Sequence, residues 1–211
     1  MSAEQLAQRM VAAISQIDAQ RLRLGQLQDD EWPRFADAIG HLSDLPIYID
    51  DTPSISVLQL RTKCRRLHLE FGLDLVIVDY LQLMAGDTRT ENRVQEVSYI
   101  SRNLKVLARE LNVPVLVGAQ LSRAVEQRAD KRPVLSDLRE SGSLEQDSDI
   151  VMFIHRPDEK DIDNPRQNIA EIIISKHRNG PTHPGIELVF LNNLARFENA
   201  AKSEKPAFKK R

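Results

Sequence analysis

The segment Asp74–Met84, with the sequence DLVIVDYLQLM, decides how the rest of the chain is interpreted. Four bulky apolar residues, 75–78, run without a polar break and end at Asp79. Such a run is typical of a strand that is buried on both faces of a parallel sheet. A carboxylate at the carboxyl end of that strand lies where open α/β sheets bind ligands, and it can hold Mg²⁺ beside a nucleotide there. A structural or capping role for Asp79 is equally compatible with this segment alone.

The composition of the 211 residues, 41% hydrophobic and 28% charged, indicates a soluble globular protein of one ordinary domain. The net charge of −2 argues against a uniformly basic nucleic-acid-binding protein but leaves room for a local basic surface. Cys64 is the only cysteine, which excludes an internal disulfide and fits a reducing compartment. No membrane span and no signal peptide is recognisable, so we expect a cytoplasmic protein.

Helical periodicity predicts four helices. The first runs over 2–17 and opens with a capping box formed by Ser2 and Gln5. The second covers about 29–42, the third begins after residue 54 or 56, and a long fourth helix ends at residue 111. In the second helix we expect an apolar stripe to face the core; its members are Trp32, Phe35, Ile39 and Leu42.

Short apolar runs predict the strands of an α/β fold, at 47–49, 75–78, 113–117, 150–154, 169–175 and 186–191. The unit 75–117 has the length of a right-handed parallel crossover. The last two strands are expected to pair as a hairpin. The long polar segment 121–149 is predicted to be a loop that is either functional or disordered.

Polar residues end three of these strands: Asp79, Gln120 and His155. Because the carboxyl ends of parallel strands share one edge, we expect the three side chains to lie along it. An acid and a glutamine there suit a nucleotide hydrolase, in which the acid holds Mg²⁺ and the glutamine senses the γ-phosphate. His155 is compatible with a general base or with a structural hydrogen-bond donor.

Two further segments carry groups that can contact phosphate. In SDLRESGSLEQDSD, residues 136–149, the Arg139 guanidinium and the backbone N–H groups around Gly142 are able to bind a single strand, although a solvated surface loop also fits. Lys176 and Arg178 flank one residue at the head of the predicted hairpin. They fit either a surface pair or an arginine finger that acts on a neighbouring subunit.

Taken in order, five segments resemble motifs of the C-terminal RecA-like motor of DnaB-family replicative helicases. The resemblance covers about residues 1–198, and the basic tail 199–211 is expected to be disordered. It implies a partial RecA-like P-loop NTPase core, with a mostly parallel sheet, flanking helices and a C-terminal hairpin. The segments are DLVIVDYLQLM (74–84), ISRNLKVLAREL (100–111), GAQLSR (118–123), LSDLRESGSLEQDSDIVMFIHR (135–156) and KHRNGP (176–181).

The resemblance implies roles on the ATP side. Asp79 corresponds to the Walker-B acid that holds Mg²⁺. Gln120 corresponds to the glutamine that couples the γ-phosphate to the DNA-binding loops. Lys176 and Arg178 correspond to the pair that a neighbouring subunit supplies to ATP.

It also implies roles on the DNA side. Arg139, Glu140 and Gly142 match the loop that binds the DNA backbone. Arg89 and Arg93 fall in the first central loop, where the match is looser. The family is a hexameric ring that moves 5′–3′ along single-stranded DNA in bacteria or plastids. A primase and a helicase loader are therefore the expected partners, and no membrane is expected.

One departure from the family is large: the sequence contains no Walker-A loop of the form G-x-x-x-x-G-K-[S/T]. The family also places a catalytic glutamate just before the position matched by Met1. We therefore hypothesise that the chain is a fragment that does not hydrolyse ATP alone. The alternatives are a non-catalytic RecA-like module that binds DNA or helicase subunits, and a degenerate product without a function.

Overall fold

The computed structural model describes residues 1–86, 92–128, 130–157 and 166–200, without the side chains of 139–141. The chain divides into two compact units. The first consists of Met1–Asp51, Ile154–Ile172 and Gly185–Arg211, and the second of Thr52–Phe153 and Ile173–Pro184. The helices are α1 (Ala3–Ser15), α2 (Ala19–Leu24), α3 (Glu31–Ser43), α4 (Val57–Phe71), α5 (Arg93–Leu111) and α6 (Gly142–Asp147). The strands are β1 (Val76–Val78), β2 (Val115–Val117), β3 (Ile150–His155), β4 (Ile169–His177), β5 (His183–Leu191) and β6 (Arg196–Asn199).

The strands form two sheets, with the orders β1-β2 and β3-β4-β5-β6. β1 and β2 are parallel, with Val76 opposite Val115 and Val78 opposite Val117, and α5 connects them, as the predicted crossover requires. β4 and β5 are hydrogen-bonded neighbours, in agreement with the predicted hairpin. β5 and β6 are antiparallel. An α/β fold with a parallel pair and a C-terminal sheet is therefore confirmed.

Two of the predicted helix starts, at Ser2 and Ser56, are confirmed by their caps. The Ser2 hydroxyl accepts a hydrogen bond from the Gln5 N–H at 3.3 Å, and the Gln5 side chain accepts one from the Ser2 N–H at 3.1 Å. Ser56 and Gln59 form the same capping box at the start of α4. Helix α2 was not predicted, because its six residues are too few for a periodic pattern to be recognised.

One face of the β1-β2 sheet carries the main core of the second unit. Val76 and Val78 pack with buried residues of α4 and α5, including Cys64 and Leu107. The other face is open, because the side chain of Ile77 is 64% exposed. The prediction that this strand is buried on both faces is therefore wrong for this chain, since α4 and α5 pack on one face only.

In the first unit, the predicted core stripe of α3 is wrong for two of its four residues, whereas Phe35 and Leu42 are half-buried. Trp32 is 52% and Ile39 44% exposed, whereas Ala38 is 2% exposed. The residues of α3 that are buried are thus Ala38 and Glu31, and the carboxylate of Glu31 is bound by Arg21 at 2.5 Å. Residues 47–49 are exposed and do not form a strand, because no other described strand pairs with them.

The polar segment 121–149 is more regular than predicted. Within its described residues it contains 3₁₀ helices at Arg123–Gln127 and Leu135–Ser141, followed directly by α6. Leu138 packs with Val151, Phe153 and Ile173 in a second, smaller core of the second unit. No helix in the described ranges is long and apolar enough to cross a membrane.

Candidate functional site

Asp79 and Gln120 follow the two parallel strands of the second unit. The Gly118 N–H donates to the Val78 carbonyl at 2.8 Å, and the Leu81 N–H donates to the Gly118 carbonyl at 2.9 Å. These bonds continue the strand pairing past β1 and β2, so both strand ends stay side by side. A Cβ atom at Gly118 would lie 3.5 Å from Asp79 Oδ1, which shows how closely the backbone approaches the carboxylate.

Gln82 fixes the backbone of Gln120. The Gln82 side chain donates to the Gln120 carbonyl at 3.3 Å and accepts from the Gln120 N–H at 3.2 Å. In the described part of the chain, no hydrogen bond engages the side-chain amide of Gln120, which is exposed. The amide is therefore available to a ligand. Gln82 was missed in the sequence, where a glutamine three residues after Asp79 carries no distinguishing signal.

The carboxylate of Asp79 fits the way proteins hold Mg²⁺ beside nucleotides. Mg²⁺ keeps several waters and takes one or two carboxylates together with phosphate oxygens. Asp79 is exposed at a strand end, and no hydrogen bond or ion pair to another described residue occupies it. The described ranges contain no group of three or more His, Cys, Asp or Glu side chains that could hold a metal alone. Asp79 thus suits a shared site completed by phosphate.

Arg93, a predicted DNA ligand, is bound to its own chain. It donates to the Gln82 carbonyl at 2.6 Å and to the Glu96 carboxylate at 2.5 Å. The Gly86 N–H donates to the same carboxylate at 2.9 Å and, with Arg93, lowers the pKa of Glu96. Through Gln82, Arg93 is tied to the Asp79–Gln120 edge. Arg89 lies outside the described residues.

The predicted DNA-binding loop follows a residue, Asp137, that is held by hydrogen bonds. Arg139 and Glu140 lie in the 3₁₀ helix Leu135–Ser141, and Gly142 is the first residue of α6. Just before them, the buried Asp137 accepts hydrogen bonds from two nitrogens of Arg128, at 2.8 and 2.5 Å. The side chains of Arg139 and Glu140 are not described, so their role in DNA binding stays a prediction.

Asp137 also joins this loop to the strand end of Gln120. Its carboxylate accepts the Val134 N–H at 2.7 Å, and its carbonyl accepts the Ser122 N–H at 3.0 Å. The hydrogen bonds from Arg128 hold the pKa of Asp137 below its ordinary value of 3.8. Neither Arg128 nor Asp137 was identified in the sequence, because an acid and a base in a polar loop carry no sign that one of them is buried.

Lys176 and Arg178 both contact the end of α6 and the residues after it. Lys176 donates to the carbonyls of Glu145 and Gln146. Arg178 donates to the Gln146 carbonyl at 2.6 Å and to the Asp149 carboxylate at 3.3 Å. The structure thus brings the two predicted finger residues together at one place.

His155 ends a strand that lies outside the β1-β2 pair. It is a buried residue at the end of β3, which belongs to the other sheet. The described strands therefore do not place His155 in one sheet with Asp79 and Gln120, and a shared edge stays a prediction for His155. The physical reason is that no described strand links β2 to β3, so the polar strand ends belong to two sheets.

The chain has a RecA-like α/β fold, with a parallel strand pair, packed helices and a C-terminal sheet. The solved structure "ATPase Domain of G40P" superimposes with a TM-score of 0.90 and 40% identity, over 95% of this chain and 72% of that chain. A DnaB-like replicative helicase, solved in a study of its interactions with primase, gives the same TM-score of 0.90 over 95% of this chain and 49% of that chain.

The chain belongs to the DnaB-like helicase C terminal domain family, which matches residues 1–199. It is 55% identical over 200 residues to the replicative DNA helicase DnaB of Geobacillus stearothermophilus, and 54% identical to the replicative DNA helicase DnaC of Bacillus subtilis (strain 168). Each match covers 94% of this chain and 44% of the relative. The chain therefore spans less than half the length of these relatives.

Proposed function

We propose that this chain is the C-terminal part of a replicative DNA helicase motor, in which ATP hydrolysis with Mg²⁺ drives movement along single-stranded DNA. The observation that carries the proposal is the pair of exposed side chains, Asp79 and Gln120, at adjacent parallel strand ends of a family member. In this arrangement Asp79 holds the metal. Gln120, whose backbone is fixed by Gln82, meets the γ-phosphate.

The nucleotide site needs a phosphate cradle that the 211 residues do not contain, because none of their glycines precedes a Walker-A lysine. We infer that a Walker-A segment outside these residues completes the site, and that the chain alone does not hydrolyse ATP. Lys176 and Arg178 then act on ATP held by a neighbouring subunit of a ring, and Arg139, Glu140 and Gly142 contact the DNA backbone, with Arg89 and Arg93 nearby.

The proposed partners follow from the same family. They are single-stranded DNA, further copies of the motor in a hexamer, a helicase loader and a primase, and the proposed compartment is the bacterial cytoplasm. A structural neighbour was solved in a study of its interactions with primase, which supports the primase as a partner.

The test joins the chain to the part of the B. subtilis relative that precedes the matched region. The fusion is expected to hydrolyse ATP and to be stimulated by single-stranded DNA, whereas the 211-residue chain alone is expected to show no activity above background. Asp79→Asn should abolish the activity of the fusion by removing the metal-holding carboxylate. Asp74→Asn, an exposed acid of the same segment, is the matched control and should leave activity unchanged.

Two results would contradict the proposal. ATPase activity of the purified chain alone would show that no outside Walker-A segment is needed. A fusion that folds but shows no DNA-stimulated ATP hydrolysis would contradict the proposal that the chain is part of a helicase motor.

A second candidate is a non-catalytic module that enters helicase rings. It is favoured by one observation, that the chain carries the Lys176–Arg178 pair but no Walker-A loop. A subunit of this kind would supply cations to a neighbour and bind no ATP. Titrating the chain into the complete B. subtilis relative distinguishes the two candidates, because only a ring-entering module lowers the relative's ATPase in proportion to the amount added.

A further inference from the structure

Asp149 holds Arg178 by both its backbone and its side chain. The Arg178 N–H donates to the Asp149 carbonyl at 2.9 Å, and the guanidinium donates to the Asp149 carboxylate at 3.3 Å. A third bond runs from the guanidinium to the Gln146 carbonyl at 2.6 Å. The side-chain bonds leave the other N–H groups of the guanidinium able to donate to a ligand, and the Arg178 side chain is 47% exposed.

Asp149 is itself fixed to the long helix α5. Lys105, in the middle of α5, forms an ion pair with the Asp149 carboxylate, and only 26% of the Lys105 side chain is exposed. The Lys105 hydrogen bond and the nearby cations Arg178 and Arg109 lower the pKa of Asp149. The carboxylate therefore stays ionised between a base on a core-packed helix and a base at the hairpin head.

Lys176, the second cation of the hairpin head, contacts the same part of the chain as Arg178. Lys176 donates to the carbonyls of Glu145 and Gln146 at the end of α6. α6 is held to α5 by the hydrogen bond from the Ser101 hydroxyl to the Asp147 carboxylate, at 2.7 Å. Both hairpin cations are thus oriented against one element that α5 supports.

We propose that Asp149 is a positioning residue that aims the Arg178 guanidinium at the nucleotide of a neighbouring subunit. This inference rests on the proposed function, because it needs a ring in which Arg178 acts in trans. An arginine side chain has many rotamers, and fixing it before the reaction removes that freedom from the activation barrier. Misplacing a group that contacts the transition state by about 1 Å is able to slow a reaction by about 100-fold.

The chain offers a matched ion pair whose carboxylate has no described anchor to a core-packed helix. Arg166 and Glu187 lie 2.7 Å apart with side chains 52% and 49% exposed, close to the 47% and 51% of Arg178 and Asp149. No Lys–carboxylate pair to a core-packed helix is described for Glu187. Glu187→Gln therefore removes an equally exposed ion pair and controls for the loss of surface charge.

The experiment uses the ATPase-active fusion described above and measures kcat and KM for ATP together with binding of single-stranded DNA. Asp149→Asn is expected to lower kcat by about 10- to 100-fold, since the guanidinium is no longer aimed. KM and DNA binding should stay within about twofold, which also reports folding, and Asp149→Glu should recover part of kcat. In the Arg178→Ala background, Asp149→Asn should have no further effect on kcat, because the group that it positions is gone.

Four results obtained with an ATPase-active fusion would overturn the inference. The first is a kcat of Asp149→Asn equal to that of Glu187→Gln, and the second is a kcat above the parent, which would make the contact one that withholds Arg178. The third is an equal further loss in the Arg178→Ala background, which would place Asp149 in another role. The last is a joint loss of kcat and DNA binding in both Asp149 variants, which would make the role of Asp149 merely structural.

Failure of this inference is distinguishable from failure of the proposed function. An unmodified fusion without ATPase activity would overturn both. An active fusion that is impaired by Arg178→Ala but not by Asp149→Asn would overturn this inference alone.

Discussion

Replacing Asp137 by Asn is expected to destabilise the second unit at neutral pH. The Asp137 side chain is 3% exposed and accepts hydrogen bonds from two Arg128 nitrogens and from the Val134 N–H. Asparagine has nearly the same shape but offers one oxygen, and its NH₂ group would face a donor. At least one charge-assisted hydrogen bond is therefore lost.

The size of the effect follows from these contacts. A hydrogen bond to a charged group contributes about 1.5 to 3 kcal/mol. Because the Arg128 side chain is 34% exposed, water replaces part of the lost partner, and the lower part of that range is expected, about 1.5 to 2 kcal/mol. With a urea m-value of roughly 2 kcal/mol per molar, the unfolding midpoint should fall by roughly 0.7 to 1 M.

The dependence on pH has a definite sign. The pKa of Asp137 is lowered in the folded chain, mainly by the Arg128 hydrogen bonds, from an ordinary value of 3.8. Its contribution is therefore fully present above pH 3.8 and is lost as the pH falls through the lowered pKa. The difference in midpoint between wild type and Asp137→Asn should accordingly shrink to near zero in acid.

Urea denaturation followed by circular dichroism at several pH values measures this difference, and hydrogen exchange of the peptide 120–138 shows whether the change is local. Asp130→Asn is the control: Asp130 lies 4.0 Å from the same arginine but is 70% exposed, so its loss should change stability by less than about 0.5 kcal/mol. Equal midpoints for wild type and Asp137→Asn at neutral pH, or a difference that persists in strong acid, would refute the reasoning.

Three further substitutions test the fold by the same urea measurement. Leu107→Ala should cost about 2 to 5 kcal/mol, because Leu107 is 0% exposed in the α5 core, whereas Leu69→Ala, at a residue that is 87% exposed, should stay within about 0.5 kcal/mol; similar losses would contradict the described core. Asn112→Ala should cost about 1 kcal/mol because Asn112 has φ 52° at the end of α5, and Asn112→Gly should not; a stable alanine variant would argue against this backbone conformation. Ser56→Ala should cost about 1 kcal/mol and Ser56→Asp much less, unless the α4 cap does not form.

Local patterns in the sequence correctly predicted several elements. The capping box at Ser2, the helix start after Ser56, the apolar spacing of α5 and the β1–α5–β2 crossover depend on residues that are close together along the chain. Their physical basis is the helical or strand period, which is visible in any sequence. For the same reason the positions of Asp79 and Gln120 after two apolar runs were enough to predict that they would lie together.

Burial was not always decided by the pattern. The α3 residues at helical spacing include Trp32 and Ile39, and both are largely exposed. Period alone says which residues share a face, but not whether another element covers that face. The exposed side of β1 has the same explanation, because an unbroken apolar run cannot report how many faces of a strand are covered.

The sequence by itself determined most of the longer helices and strands of this protein, its family motifs and the acid and amide of the candidate ATP site. Only the tertiary structure decided which residues support that site. Gln82 meets Gln120 across 38 residues, Lys105 meets Asp149 across 44, and Arg178 meets Asp149 across 29. Polar contacts of this kind depend on how the chain returns to the same place in space, and no period along the sequence encodes that return.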